Sequence, residues 1–265
     1  MPLFSPFDLP EGILLLITDG LAAPADFVLH RCLATHLKDN KRPKATVLSV
    51  SEGIVRWKAL ASKSNINLQQ YLDSGAIEFV DVLANVQPPV FASGNGDDSR
   101  SEQGEFLGKN TCNDLKIVLE RVRAFLERSV HDQAGETQHA MVILDDITML
   151  EWIGFPLIDV ARFMRALRAV CLQANATLLV RHHVVTPDEP DELLRRLLQI
   201  STYHLEVRPL ASGRSGNVSG EVALHSGFSA PPETIRLVPR NAALQYRLTD
   251  VGPDFFAKGT SEVVL

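Results

Sequence analysis

The chain has 265 residues, 45% hydrophobic and 22% charged, with a formal net charge of −6. A chain of this length buries roughly three quarters of its unfolded surface, so its core needs neither disulfide nor metal. The negative balance argues against strong non-specific binding of nucleic acid by the chain as a whole, while leaving room for a local basic patch.

After a lead-in over residues 1–10, Ile13–Thr18 reads as a buried strand, and Asp19-Gly20 breaks it. Pro24 and Ala25 open a helix to about Asn40, with Phe27, Val28, Cys32 and Leu37 among its apolar positions. Lys41–Lys44 is a turn and Ala45–Val50 a second strand; residues 54–72 read as helical with Gly75 as the stop, and Ile77–Leu83 as a third strand. Residues 85–110, with Pro88-Pro89 and the run Ser93–Ser101, have the composition of a flexible loop. Asn113–Val130 returns to helix, its Leu115, Val118, Leu119, Val122, Phe125 and Leu126 at i, i+3, i+4 spacing. Met141–Leu144 is a strand ending in Asp145-Asp146. A helix follows from Pro156 to about Asn175, then a strand at Thr177–Val180 and a short helix at Asp191–Gln199. The last third is strand-rich: Tyr203–Val207, a Gly/Ser hairpin over Ala211–Gly220, Glu221–His225, Ala243–Leu248 and the tail Phe255–Leu265.

Strands alternating with helices give a three-layer α/β/α fold with a mostly parallel sheet, and the late hairpins add antiparallel strands at one edge. The reading is one domain over 1–265. Cys32, Cys112 and Cys171 are far apart and form no CxxC pair, which makes structural zinc unexpected and fits a reducing compartment. The apolar run Ile13–Ile17 is too short for a signal or membrane helix, so the expected location is cytoplasmic or nuclear, without a membrane partner.

Met141–Asp146 is the stretch that raises the question of chemistry. Four apolar residues followed by two carboxylates resemble the acidic strand end that holds Mg²⁺ in nucleotide-hydrolysing proteins. Such a strand serves a phosphate loop of pattern G-x-x-x-x-G-K-[ST]. After the first strand, Gly20 stands at the first glycine, but Ala25, Asp26 and Phe27 replace the second glycine, the lysine and the hydroxyl residue, and Pro24 removes an N–H. At about 4 Å and an effective dielectric near 20, each charge pair counts for a few kcal/mol, so an Asp in place of the Lys repels phosphate strongly. The expectation is a chain without catalytic, cofactor-binding or metal residues. Asp145 and Asp146 are then turn-formers, the competing reading being a Mg²⁺ role.

Arg162, Arg165 and Arg168 fall on one helical stripe at i, i+3 and i+6, either a plain solvated face or a basic patch for RNA phosphate or an acidic partner. Arg181 and His182, just past a strand end, are candidates for the same contact. His182-His183 read as a solvent-facing loop pair rather than a metal site.

The strand order, the phosphate loop stripped of its Lys and the acidic strand end together resemble the RecA-like pseudo-ATPase subunits of the Elongator complex. Asp254–Ser261, ending in Val263-Val264-Leu265, is similar to the terminal signature of the subunit six family; Thr18-Asp19-Gly20, Phe27–His30 and Val142–Leu150 add to the likeness. The resemblance implies a single RecA-like domain and a structural role. Subunit six joins subunits four and five, two copies of each, in a hetero-hexameric ring that docks on the catalytic core, binds tRNA and supports wobble-uridine modification. Phe255, Phe256 and Lys258 are then candidates for a subunit interface, the alternative being an edge strand folded onto its own domain. Two other functions remain open: an NTPase with a degenerate loop using Asp145 or Asp146, and a nucleic-acid-binding relative of the recombinase paralogues.

Overall fold

Leu14–Asp19 forms the central strand β1, and all six of its residues are buried. A strand apolar on both faces is stable only with helices above and below it, and each fully buried Leu or Ile contributes about 1.5–3 kcal/mol. The protein is described by a computed structural model over residues 4, 7, 9–85, 111–130, 139–186, 189–213, 215–231, 235–250 and 252–258.

From β1 the chain runs through α1 (Asp26–Asp39), β2 (Lys44–Ser49), α2 (Ile54–Lys63), α3 (Leu68–Asp73), β3 (Ile77–Asp81) and α4 (Val82–Asn85). Then come α5 (Thr111–Val130), β4 (Ala140–Leu144), α6 (Thr148–Trp152), α7 (Leu157–Gln173), β5 (Thr177–His183) and α8 (Glu192–Ile200). The last strands are β6 (Tyr203–Arg208), β7 (Gly220–Ser226), β8 (Leu244–Thr249) and β9 (Gly252–Phe256). They make one sheet in the order β3-β2-β4-β5-β1-β6-β7-β8-β9. It is parallel from β3 to β6 and antiparallel from β6 to β9.

Alternation of side chains along each strand divides the core. Leu15, Ile17, Val47, Ile143 and Leu179 pack under α1, α2 and α3 through Val28, Trp57 and Leu68. Leu14, Leu16, Leu48, Val142 and Leu178 pack under α5, α7 and α8 through Val118, Leu167 and Leu193. This is the expected three-layer α/β/α arrangement with antiparallel strands at the C-terminal edge.

Local departures have local causes. The helix expected over 54–72 is broken between α2 and α3, where Asn65 takes φ 57° and Ile66 N–H donates to the Ala61 carbonyl at 3.1 Å. Asn tolerates the left-handed conformation that ends a helix. The strand expected to reach Leu83 stops at Asp81, whose Oδ1 accepts from Ala84 N–H at 3.0 Å and starts α4. The C-terminal strand begins at Gly252, earlier than expected; its Pro253 is tolerated because β9 is an edge. Of the loop expected over 85–110, Asn85 ends α4; residues 86–110 and the tail 259–265 lie outside the described residues.

Candidate functional site

The carboxyl ends of β1, β4 and β5 lie side by side, the place where open α/β sheets bind ligands. Three polar side chains meet there. β1 and β5 pair in register, with Ile17 opposite Arg181 and Asp19 opposite His183. All three ionisable residues therefore project to the face covered by α1.

Asp19, its side chain fully buried, accepts from or meets three groups. Oδ2 accepts from Ala25 N–H at 2.6 Å and from Arg181 Nε–H at 2.8 Å, and Oδ1 lies 3.0 Å from His183 Nδ1. Burial pulls the Arg181 guanidinium down, but Asp19 and Asp146 outweigh it and hold it above its ordinary value. The loop itself closes tightly, with Ala23 N–H donating to the Gly20 carbonyl at 3.0 Å. Ala25 is the residue just before α1. Its N–H is of the kind that a phosphate loop turns toward phosphate, and here it is given to the chain's own carboxylate.

Asp145 and Asp146 are also buried. Asp145 reaches across to the end of β2: Oδ1 accepts from Val50 N–H at 2.7 Å and Ser51 N–H at 3.3 Å. Its Oδ2 meets Ser49 Oγ, and Ser49 Oγ also meets the Glu52 carbonyl. Burial pushes the Asp145 carboxyl up, against the pull of these hydrogen bonds. A serine has one hydroxyl proton. That proton serves one of the two oxygens at a time. Asp146 Oδ1 accepts from Thr148 N–H at 3.0 Å, a turn-forming contact that starts α6, and burial pushes its carboxyl up too, against the pull of Arg181. Among the described residues, no group of three His, Cys, Asp or Glu side chains is placed to hold a metal ion.

The basic candidates fall into different settings. Arg162 and Arg165 are exposed on α7, with Arg162 Nη1 3.4 Å from Asp159 Oδ1. Arg168 turns inward instead: it is half-buried and Nη2 donates to Thr202 Oγ1 at 3.1 Å, so the stripe of three does not present as one surface. Arg181 and His182 do not lie past a strand end. β5 runs on through both, because β1 pairs with it as far as Asp19. Arg181 is committed to Asp19, and His182 is fully buried with Nε2 3.2 Å from Asp191 Oδ2. The His182-His183 pair is therefore part of the sheet and not a solvent-facing loop. At the other edge, the Phe255 ring lies 5.5 Å from Phe4, edge-on, and 6.3 Å from Tyr246. Phe256 is half-buried, and Lys258 Nζ is 3.7 Å from Glu221 Oε1.

A cleft of about 770 Å³ opens between α8 and the outer strands, with His204, Glu206, Arg208, Leu194 and Leu198 in its walls. Arg240 donates to Glu206 through Nε and Nη2, both at 2.7 Å. Despite its burial, hydrogen bonds from His225 and Arg240 hold the Glu206 carboxyl down at about 2. His204 is held down at about 4 by burial and lies 2.7 Å from Thr18 Oγ1. None of these residues was a candidate from sequence. Their signal is the alternation in β6, where Tyr203, Leu205 and Val207 face one way and His204, Glu206 and Arg208 the other.

Comparison with known proteins fits this geometry into a family. A KaiC-like protein from Pyrococcus horikoshii superposes with a TM-score of 0.62 over 94% of this chain and 91% of its own, at 10% identity; the fold is RecA-like. Elongator complex protein 6 from Xenopus tropicalis is 29% identical, covering 94% of this chain and 90% of the relative. The protein of that name from Homo sapiens is 26% identical, covering 96% and 94%, and that from Danio rerio 26%, covering 98% and 96%. The family described as Elongation complex protein 6 matches residues 3–250, a span that ends before the C-terminal signature. The chain, RecA-like in fold with the Asp19 carboxylate bonded to the loop after its first strand, belongs to the Elongation complex protein 6 family.

Proposed function

We propose that this chain is a non-catalytic structural subunit of the Elongator complex. It joins subunits four and five, two copies of each, in a hetero-hexameric ring that docks on the catalytic core. The ring supports tRNA binding and wobble-uridine modification, in the cytoplasm or nucleus. Membership of the family supports the complex. The observation that carries the non-catalytic role is the Asp19 carboxylate on Ala25 N–H at 2.6 Å. A buried anion occupies the donor that a bound phosphate would need, and Asp26 stands where a lysine would meet the phosphate charge. Both features give the loop the wrong sign for a triphosphate, which supports the non-catalytic reading.

Co-expression with subunits four and five from the same organism, followed by a mass measurement, tests the assembly. A discrete particle with two copies of each chain is expected; failure of the three to form a defined ring counts against it. The purified chain alone should not turn over ATP. Hydrolysis that Asp145→Asn abolishes would overturn the non-catalytic reading.

A further inference from the structure

We propose that Asp19 is a built-in anion: its carboxylate fills an oxyanion site made by Ala25 N–H, Arg181 and His183, and removing it leaves a site for a small monoanion. The inference rests on the proposed reading of the loop as one that takes no nucleotide, and it explains how the loop keeps its shape without one.

The three partners of Asp19 come from two separate elements, the start of α1 and the end of β5. Together they pin the β1–α1 loop to the neighbouring strand, as a bound phosphate does in a nucleotide-binding relative of the fold. Here the anion is covalently part of the chain, so the loop is pinned without a ligand. Without the carboxylate, Arg181 would be left with its Nε unpaired at a side-chain exposure of 12%. A mostly buried guanidinium stripped of its partner is costly.

The charges around the site fix the class of anion. Arg181 feels Asp146 and Asp26 as well as Asp19. With Asp19 removed, those two carboxylates still face the guanidinium. They offset its charge, so a monoanion meets far less repulsion there than a polyanion does. Asp19→Ala deletes a carboxylate and leaves a methyl group, so the vacated volume matches formate. Formate is therefore the probe, and pyrophosphate the contrasting polyanion.

The experiment uses the full chain as wild type, Asp19→Ala and Asp19→Asn, each melted with sodium formate, sodium pyrophosphate or sodium chloride at matched ionic strength. Asp19→Ala should melt about 5–10 °C below wild type. Formate at about 100 mM should recover at least half of that deficit while chloride does not, and a titration should place its Kd on the order of millimolar. Asp19→Asn fills the space and should show no response specific to formate. If Asp19→Ala is insoluble, refolding in formate against refolding in chloride gives the same reading: recovery in formate alone is expected. The proposal is overturned if Asp19→Ala melts with wild type, if formate raises it no more than chloride does, or if pyrophosphate is the better ligand. Wild type that fails to join subunits four and five, beside a formate-rescued Asp19→Ala, would sink the proposed function and leave the built-in anion standing.

Discussion

Asp145 shows how much one side chain can settle. A metal-binding aspartate needs a free charged carboxylate at the strand end, whereas this one spends Oδ1 on Val50 and Ser51 and Oδ2 on Ser49. Burial raises its pKa, which favours the neutral carboxyl. An amide has the same shape and the same donor and acceptor. Asp145→Asn should therefore cost under about 1 kcal/mol, while Asp145→Ala, which strands the buried Val50 N–H, should cost about 1–3 kcal/mol. Urea denaturation of both variants checks this; an Asn variant as unstable as the Ala variant would mean that the charge is what the site needs. His36 gives a matching case for pH. Its Nε2 lies 3.0 Å from the Lys44 carbonyl and its Nδ1 3.1 Å from Asn40 Nδ2, so the neutral ring, donating at Nε2 and accepting at Nδ1, satisfies both. Burial holds it down from the ordinary 6.5 to about 4. As pH falls through 6.5 the unfolded chain takes the proton first, so the stability this residue contributes is present above 6.5 and is lost on the way to 4, at most about 3 kcal/mol. His36→Gln should flatten the stability curve in that window, as urea melts at stepped pH would read out; equal slopes for both proteins would contradict it.

At the scale of elements, the strands were legible because their signal is strong. Runs such as Leu14–Ile17 and Val142–Leu144 are apolar on both faces, and only a helix-covered sheet accommodates that. What escaped the sequence was set by tertiary pairing. β5 extends through Arg181–His183 because β1 beside it carries Asp19, a partner 162 residues away that no local pattern announces. The cleft was hidden for a different reason: the period-2 pattern of β6 was there to read, but its charged face reads as solvent-exposed until α8 and Arg240 are placed over it. β9 lies between these cases. Phe255 was a candidate for a subunit interface, yet its ring is used at home against Phe4 and Tyr246. Phe255→Ala should accordingly destabilise the isolated chain, by about 2–4 kcal/mol for a partly buried ring. An isolated variant as stable as wild type, with weakened assembly, would return Phe255 to an interface role.

At the scale of the whole molecule, the net charge of −6 means that any contact with tRNA must come from a local surface. Exposed Arg162 and Arg165 on α7 offer one. Arg162 pairs with Asp159 at 3.4 Å with its side chain 69% exposed, and such a surface pair is worth under about 1 kcal/mol, so a phosphate can displace it. Arg168 belongs to a different problem, because its Nη2 holds Thr202, whose Oγ1 also accepts from Leu14 N–H at the start of β1. Reversing its charge would disturb the central strand and confound any binding measurement. The informative variant is therefore Arg162→Glu with Arg165→Glu, in the ring proposed above. Affinity for tRNA should fall, and the slope of log affinity against log salt should flatten by about 1 for each phosphate that the ring no longer neutralises. Mass and melting temperature of the ring should not change, since neither side chain is buried. Unaltered affinity and slope would leave α7 as an ordinary solvated face, and a ring that falls apart would place the two arginines at a subunit contact instead.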